Sequence, residues 1–257
     1  MVGKRDSQMI RAILFDLGNT LLEYESRPGA GAFENALGRL YDFLDARDVT
    51  LPSRQRFEAD FATTWSVNGE DELPADARLL HALSSLLGGY GIAVPHEELP
   101  DVLRAHHEVL SDRAVLYPDT LSTLVELRQS GLRLGVVVNT SWPKEFVLRD
   151  LARYELLSLL DVQVFSSDFG RAKPDPAIFR HAVDALGIEP SEAVFVGDDL
   201  EEDLLGASRA GLRTVLKFHP RQTRRAFEGD TEVTPGATIE ALNQIPAILA
   251  RWNPAIA

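Results

Sequence analysis

Apolar positions follow two rhythms along the chain. Short unbroken apolar runs occupy residues 11–16 (RAILFD), 132–139 (LRLGVVVN), 161–166 (DVQVFS), 193–198 (AVFVGD) and 212–217 (LRTVLK). Runs of this length without polar alternation suit strands covered on both faces, as in a parallel sheet. Between them the spacing becomes helical. Residues 119–130 align Leu121, Leu124, Val125 and Leu127; 176–186 align Ile178, Phe179, Ala182, Val183 and Leu186; 199–210 align Leu200, Leu204, Leu205 and Ala207. Gly131, Gly187 and Gly211 stand where these helices would stop. Strands alternating with helices predict an α/β fold with a doubly wound parallel sheet. A last helical pattern at 238–250, interrupted by Pro246, is expected to pack on that sheet.

One stretch breaks the alternation. Residues 24–115 hold no buried strand pattern but about four amphipathic stripes. These are Phe33, Leu37, Leu40, Tyr41 and Leu44; Phe57, Phe61 and Trp65; Leu79, Leu80, Leu83 and Leu87; and Val102, Leu103, His106, Val109 and Leu110. Turn chemistry separates them at Arg27-Pro28-Gly29, Leu51-Pro52-Ser53, Asn68-Gly69, Gly88-Gly89 and Val94-Pro95. The reading is an all-helical cap, residues 24–115, inserted into a core made of 9–23 and 116–257, with Tyr117-Pro118-Asp119 marking the return. The aromatics Phe57, Phe61 and Trp65 are read as packing within this insert.

Charge and composition narrow the function. A net charge of −13 argues against a face that neutralises nucleic-acid phosphates, which needs clustered Lys and Arg. It leaves room for a small anionic substrate, because a metal and one or two local cations can set the sign inside a pocket. Cysteine is absent, which removes disulfides and thiolate metal sites and fits a reducing compartment. The N-terminal MVGKRDSQMIRAILFD carries no signal-peptide pattern, and no segment approaches the roughly 20 apolar residues of a membrane span. The expectation is a cytoplasmic protein without membrane or nucleic-acid partners; its oligomeric state is not legible.

Open parallel sheets bind ligands beyond the carboxyl ends of their strands. Asp16 falls at the end of the first predicted strand, Asn139 and Thr140 at the end of the second, and Asp198 at the end of the fourth, with Lys173 in the loop after the third. The fold would therefore gather an acid pair, an amide, a hydroxyl and a lysine on one edge. Asp199, Glu201 and Glu202 read as acids favouring a helix start. Trp142 could wall the pocket. Adjacent His106 and His107 point in different directions on a helix and make a poor shared metal site. Arg221, Arg224 and Arg225 read as a solvated loop. No G-x-G-x-x-G follows a strand, so a dinucleotide site is not supported.

These segments resemble the motifs of the haloacid-dehalogenase-like (HAD) hydrolases, in particular the phosphatase-like branch with a helical (C1) cap on a Rossmann-like core. FDLGNTL (15–21) is similar to motif I, VVVNTSW (136–142) sits where motif II belongs, GRAKPDPAIF (170–179) looks like motif III and VFVGDDLEEDLLGASRAGL (194–212) like motif IV. The match runs in order along the chain. It implies that Asp16 is a nucleophile forming an aspartyl-phosphate, and that Mg²⁺ is held by Asp16, the backbone carbonyl of Gly18 and Asp198. It also implies that Lys173 stabilises Asp16 and the transferring group, that Asn139 and Thr140 donate to phosphate oxygens, and that Asp203 orients Lys173 or a metal-bound water. The implied reaction is Mg²⁺-dependent hydrolysis of a small phosphorylated metabolite.

The chain departs from the family pattern twice. Position 18, usually a second Asp that protonates the leaving group, is Gly18. The residue before Asn139, usually Ser or Thr, is Val138. Losing a positioned general acid costs about 10²–10⁴ in rate, least where the leaving group needs no proton. The departures therefore keep open a protein that binds a phosphorylated ligand without turning it over. A 2-haloacid dehalogenase is disfavoured, because Asp198 and Asp203 would repel a haloacid carboxylate in a site without a cation.

Overall fold

A computed structural model describes residues 9–23, 32–46, 50–67, 83–92, 104, 107–109, 111–112, 114–140, 142–218 and 233–252. Strand β1 (Ala12–Phe15) leads to a short β2 (Leu22–Glu23). Helices α1 (Ala32–Asp45), α2 (Arg54–Val67) and α3 (residues 83–89) follow, and β3 (Val115–Leu116) then pairs antiparallel with β2. The chain enters and leaves the helical segment through this small ladder, which the sequence pattern does not predict. Next come α4 (Thr120–Gln129), β4 (Arg133–Val138), α5 (Lys144–Arg153), β5 (Val162–Phe165), the single turn α6 (Ser166–Phe169) and α7 (Pro176–Ala185). The chain finishes through β6 (Ala193–Gly197), a π-helical segment (Leu200–Leu205), α8 (Gly206–Ala210), β7 (Arg213–Lys217), β8 (Ala237–Ile239) and α9 (Ile245–Trp252).

Six strands form one parallel sheet in the order β5-β4-β1-β6-β7-β8. β1 lies inside it, and alternate residues feed opposite faces. Ile13 and Phe15 join Leu134, Val136, Val194 and Val196 under α4, α5 and α9; Ala12 and Leu14 join Val137, Phe195 and the apolar side of α7 and α8. Burial on both faces is why these strands read as unbroken apolar runs, each fully buried Leu, Ile or Phe contributing about 1.5–3 kcal/mol. Among the described residues no helix is long and apolar enough to cross a membrane.

Two expectations change in the tail and in the segment after β6. Residues 237–239 are not helical but add a sixth strand beside β7, and Pro246 does not interrupt a helix: it stands at the second residue of α9, where its missing N–H is no loss. Residues 200–205 wind as a π-turn before α8 begins. Asp199 caps this turn, its carboxylate accepting from the N–H groups of Glu201 (2.8 Å) and Glu202 (2.7 Å).

In the inserted segment Leu37, Leu40, Leu44, Phe57, Phe61, Leu83 and Leu87 bury one another, with Phe146 of α5 joining them. The stripes expected through Leu79 and Leu80, and through Val102, Leu103, His106 and Leu110, lie outside the described residues, as do Arg221, Arg224, Arg225 and the side chains of Phe33 and Trp65.

Candidate active site

The site grows from strand ends. Asp16 follows β1 directly, anchored by its N–H to the carbonyl of Val196 (2.9 Å), and Asp198 follows β6, the neighbouring strand. Both side chains are buried. Lys173 reaches them from the loop after α6. That loop is fixed at its far end by Asp175, which caps α7 by accepting from the Ala177 N–H (2.8 Å), with Pro176 as the first helical residue. Asn139 fixes it at the near end: its Oδ1 accepts from the Lys173 N–H (2.8 Å) and its Nδ2 donates to the Lys173 carbonyl (2.9 Å).

The ammonium of Lys173 lies 2.6 Å from Asp16 Oδ1 and 2.7 Å from Asp203 Oδ1, with the ring of Phe195 5.6 Å below it. Asp203 occupies its other oxygen with the N–H groups of Asp198 and Asp199, each at 3.1 Å. Gly197 makes this approach possible, because a Cβ there would stand 2.3 Å from Asp203 Oδ2. One carboxylate oxygen each from Asp16, Asp198 and Asp203 lie within 4.8 Å of one another.

Electrostatics follow from this crowding. Burial alone would lower the Lys173 ammonium, but the adjacent Asp16 and Asp203 carboxylates outweigh it and hold it above the usual lysine range. Asp198 is pushed up to about 8 by burial, then by the charges of Asp16, Asp203 and Asp199, against Lys173. Asp203 rises to about 7 through burial, with Lys173 opposing. Three carboxylates crowd around one buried ammonium, and every ligand atom they offer is a hard oxygen. That set fits a hard divalent cation, which prefers oxygen ligands and would restore charge balance.

The seven residues given site roles in the sequence converge. Asp16, Gly18, Asn139, Thr140, Lys173, Asp198 and Asp203 line one cavity of about 420 Å³, joined by Val138 and Trp142. Thr140 sits over α6, its N–H donating to Ser166 Oγ (2.9 Å) and its hydroxyl accepting from the Trp142 N–H (3.0 Å). The Asn139 amide is engaged in holding the lysine loop, with a further bond from Nδ2 to Glu202 Oε2 at 3.1 Å. Glu202 is therefore more than a helix-start acid.

Lys217 and Asp150 escaped the sequence reading, and His107 entered it only as a poor metal partner. Lys217, buried at the end of β7, donates to the Asn19 carbonyl (2.9 Å) and stands 3.5 Å from the ring centre of Tyr117, bracing the loop after Asp16. Burial lowers it to about 8 against the pull of Asp198 and Asp119. A lysine closing the apolar run LRTVLK, at the same sheet edge as Asp16, is a usable signal. His107 lines the cavity, and Asp150 of α5 lies behind it. Asp150 stands four residues from Phe146 on the apolar side of its helix, and an acid in that phase also marks it.

The chain belongs to the haloacid dehalogenase-like hydrolases, whose family model matches residues 10–211. It is 31% identical over 208 residues to a glyceraldehyde 3-phosphate phosphatase of Methanopyrus kandleri, covering 80% of this chain and 83% of that protein. It is 30% identical over 251 residues to a ribulose-1,5-bisphosphate 5-phosphatase of Halopiger xanaduensis, covering 94% of this chain and all of that one. A solved 2-haloacid dehalogenase of Pseudomonas syringae superposes with a TM-score of 0.67 at 26% identity, over 95% of this chain and all of that protein. The fold is thus shared by both chemistries, and the site must decide between them.

Proposed function

We propose that this hydrolase is a phosphatase that cleaves small phosphorylated metabolites through an aspartyl-phosphate on Asp16. The observation that carries the reading is the placement of the Asp16 carboxylate, 2.6 Å from a buried lysine and beside two further acids in one cavity. A haloacid carboxylate entering a cluster of three carboxylates would meet like charge, which disfavours dehalogenation. The phosphatase names of the sequence relatives support the same choice.

The roles of the residues follow from their contacts. Asp16 attacks phosphorus, splitting one difficult hydrolysis into two easier steps. Lys173 fixes the Asp16 carboxylate and offsets charge on the transferring group. Asp203 orients Lys173, and Asn139 positions the loop that presents it. The Thr140 hydroxyl donates to a phosphoryl oxygen, and Asn139 reaches the same group if its bond to Glu202 opens. Asp16, Asp198 and the backbone carbonyl of Gly18 would hold Mg²⁺, with Asp203 outside the ligand set because both its oxygens are engaged. When bound, the cation supplies positive charge that lets a phosphate dianion approach the carboxylates.

In this reading residues 9–23 and 116–257 carry the chemistry and 24–115 serve as the cap that selects the substrate, in a cytoplasmic setting. Purified protein with Mg²⁺ should release phosphate from p-nitrophenyl phosphate. Asp16→Asn and, separately, removal of Mg²⁺ with a chelator should each reduce release to background. Retained turnover in Asp16→Asn overturns the reading.

A further inference from the structure

We propose that His107 is the acid that protonates the departing oxygen, in the role left vacant by Gly18. The proposal rests on the phosphatase reading above and deepens it. At position 18 there is no carboxylate, and a Cβ built there would meet no atom within 4 Å, so the space beside the nucleophile is open. The same cavity has a titratable group on another wall. His107 lines it together with Trp142 and Val147.

The imidazole is held in a defined pose. It is buried, with Trp142 edge-on at 4.9 Å and Phe146 at 5.2 Å between ring centres. Its Nε2 stands 3.4 Å from Asp150 Oδ2, and the other oxygen of Asp150 accepts from the Ser111 hydroxyl. Asp150 is completely buried on α5, with one oxygen beside each of these two groups. Among the described residues Nδ1 has no hydrogen-bond partner. A carboxylate behind one ring nitrogen, with the other left for the reacting group, is how a histidine is oriented and its cationic form stabilised for proton transfer.

Burial lowers the imidazole below its usual 6.5; Asp150 and Glu108 oppose this and Arg149 adds to it. A phosphate dianion entering the cavity raises it again, so proton uptake accompanies substrate. As Asp16 bonds to phosphorus, the bond to the ester oxygen breaks. Its electron pair stays on that oxygen, which takes the proton from Nδ1 and leaves as an alcohol. The water that later cleaves the aspartyl-phosphate returns one proton to the ring, and the Asp16 carboxylate is regenerated.

The test compares two esters on the same preparations: p-nitrophenyl phosphate, whose leaving group departs without a proton, and glycerol phosphate, whose alcohol needs one. The readout is kcat/KM, which stops at departure of the leaving group. His107→Gln should lose about 10²-fold on the alkyl ester and no more than a few-fold on the aryl ester. His107→Asn, a second variant of different reach, should show the same split. Adding Gly18→Asp to His107→Gln should restore alkyl-ester turnover. Equal losses on both esters, no loss on either, or a double variant no better than His107→Gln alone would overturn the role of His107 and leave Asp16 standing. Wild-type protein that releases phosphate from neither ester would overturn both readings.

Discussion

At the carboxyl edge of the sheet, Asp16 and Asp203 share the Lys173 ammonium at 2.6 and 2.7 Å while Asp198 crowds beside them. On α5, Asp150 is as deeply buried but faces a hydroxyl and an imidazole. The first cluster carries more negative charge than its single cation offsets; the second is one carboxylate beside a hydroxyl donor and an imidazole. Buried acids thus answer to different variables. The sheet-edge cluster should respond to cations and to deprotonation, and the α5 cluster to loss of hydrogen bonds.

The largest effect should come from removing the shared cation. Lys173→Met leaves Asp16 and Asp203 buried against each other and should cost about 3–5 kcal/mol in urea unfolding without metal. A cost below about 1 kcal/mol would show that the cluster does not depend on its ammonium.

Next in size is the linkage to pH and metal. Asp198 and Asp203 stand at about 8 and 7 in the fold against 3.8 for an ordinary aspartate. The native state therefore binds more protons than the unfolded chain between those values. Metal-free stability that is full below about pH 4 should be lost as pH rises towards 8. His107 has the opposite sign: lowered in the fold, it contributes stability above 6.5 that is lost as pH falls through its native value. Mg²⁺ at one hundred times its dissociation constant should add about 2.7 kcal/mol, and its midpoint should improve from pH 5 to pH 8 because protons compete for the same oxygens. Thermal melts at both pH values check this; a metal effect that is stronger at pH 5 would break the comparison.

The smallest effect sharpens it from the other side. Asp150→Asn keeps an acceptor for Ser111 but removes the charge facing His107, and should cost about 1–2 kcal/mol. Mg²⁺ affinity, read by titration calorimetry, should not change. A shift in metal affinity would mean that the two clusters are electrostatically one.

Much of the site was legible in the chain because parallel strands buried on both faces advertise themselves. A β-run ending in Asp16, Asn139 or Asp198 places its last polar residue at the sheet's open edge whatever the register. The resemblance of GRAKPDPAIF to motif III likewise pointed to Lys173. The sixth strand at 237–239 was hidden because three residues pairing only with β7 leave no periodic trace. The occupation of the Asn139 amide was hidden too, since its partner is the backbone of a loop 34 residues away.

By itself, then, the chain determined the alternating architecture and that Asp16, Asp198 and Lys173 would meet, since both follow from local burial patterns and strand polarity. Only the tertiary structure decided how charge is apportioned among them: that Asp203 turns to Lys173 and two backbone amides, that Lys217 braces the loop after Asp16, and that Asp150 stands behind His107 at the cavity. Those outcomes depend on distances of a few ångströms between segments far apart in sequence, and Coulomb and hydrogen-bond energies change too steeply with distance for any residue order to reveal them.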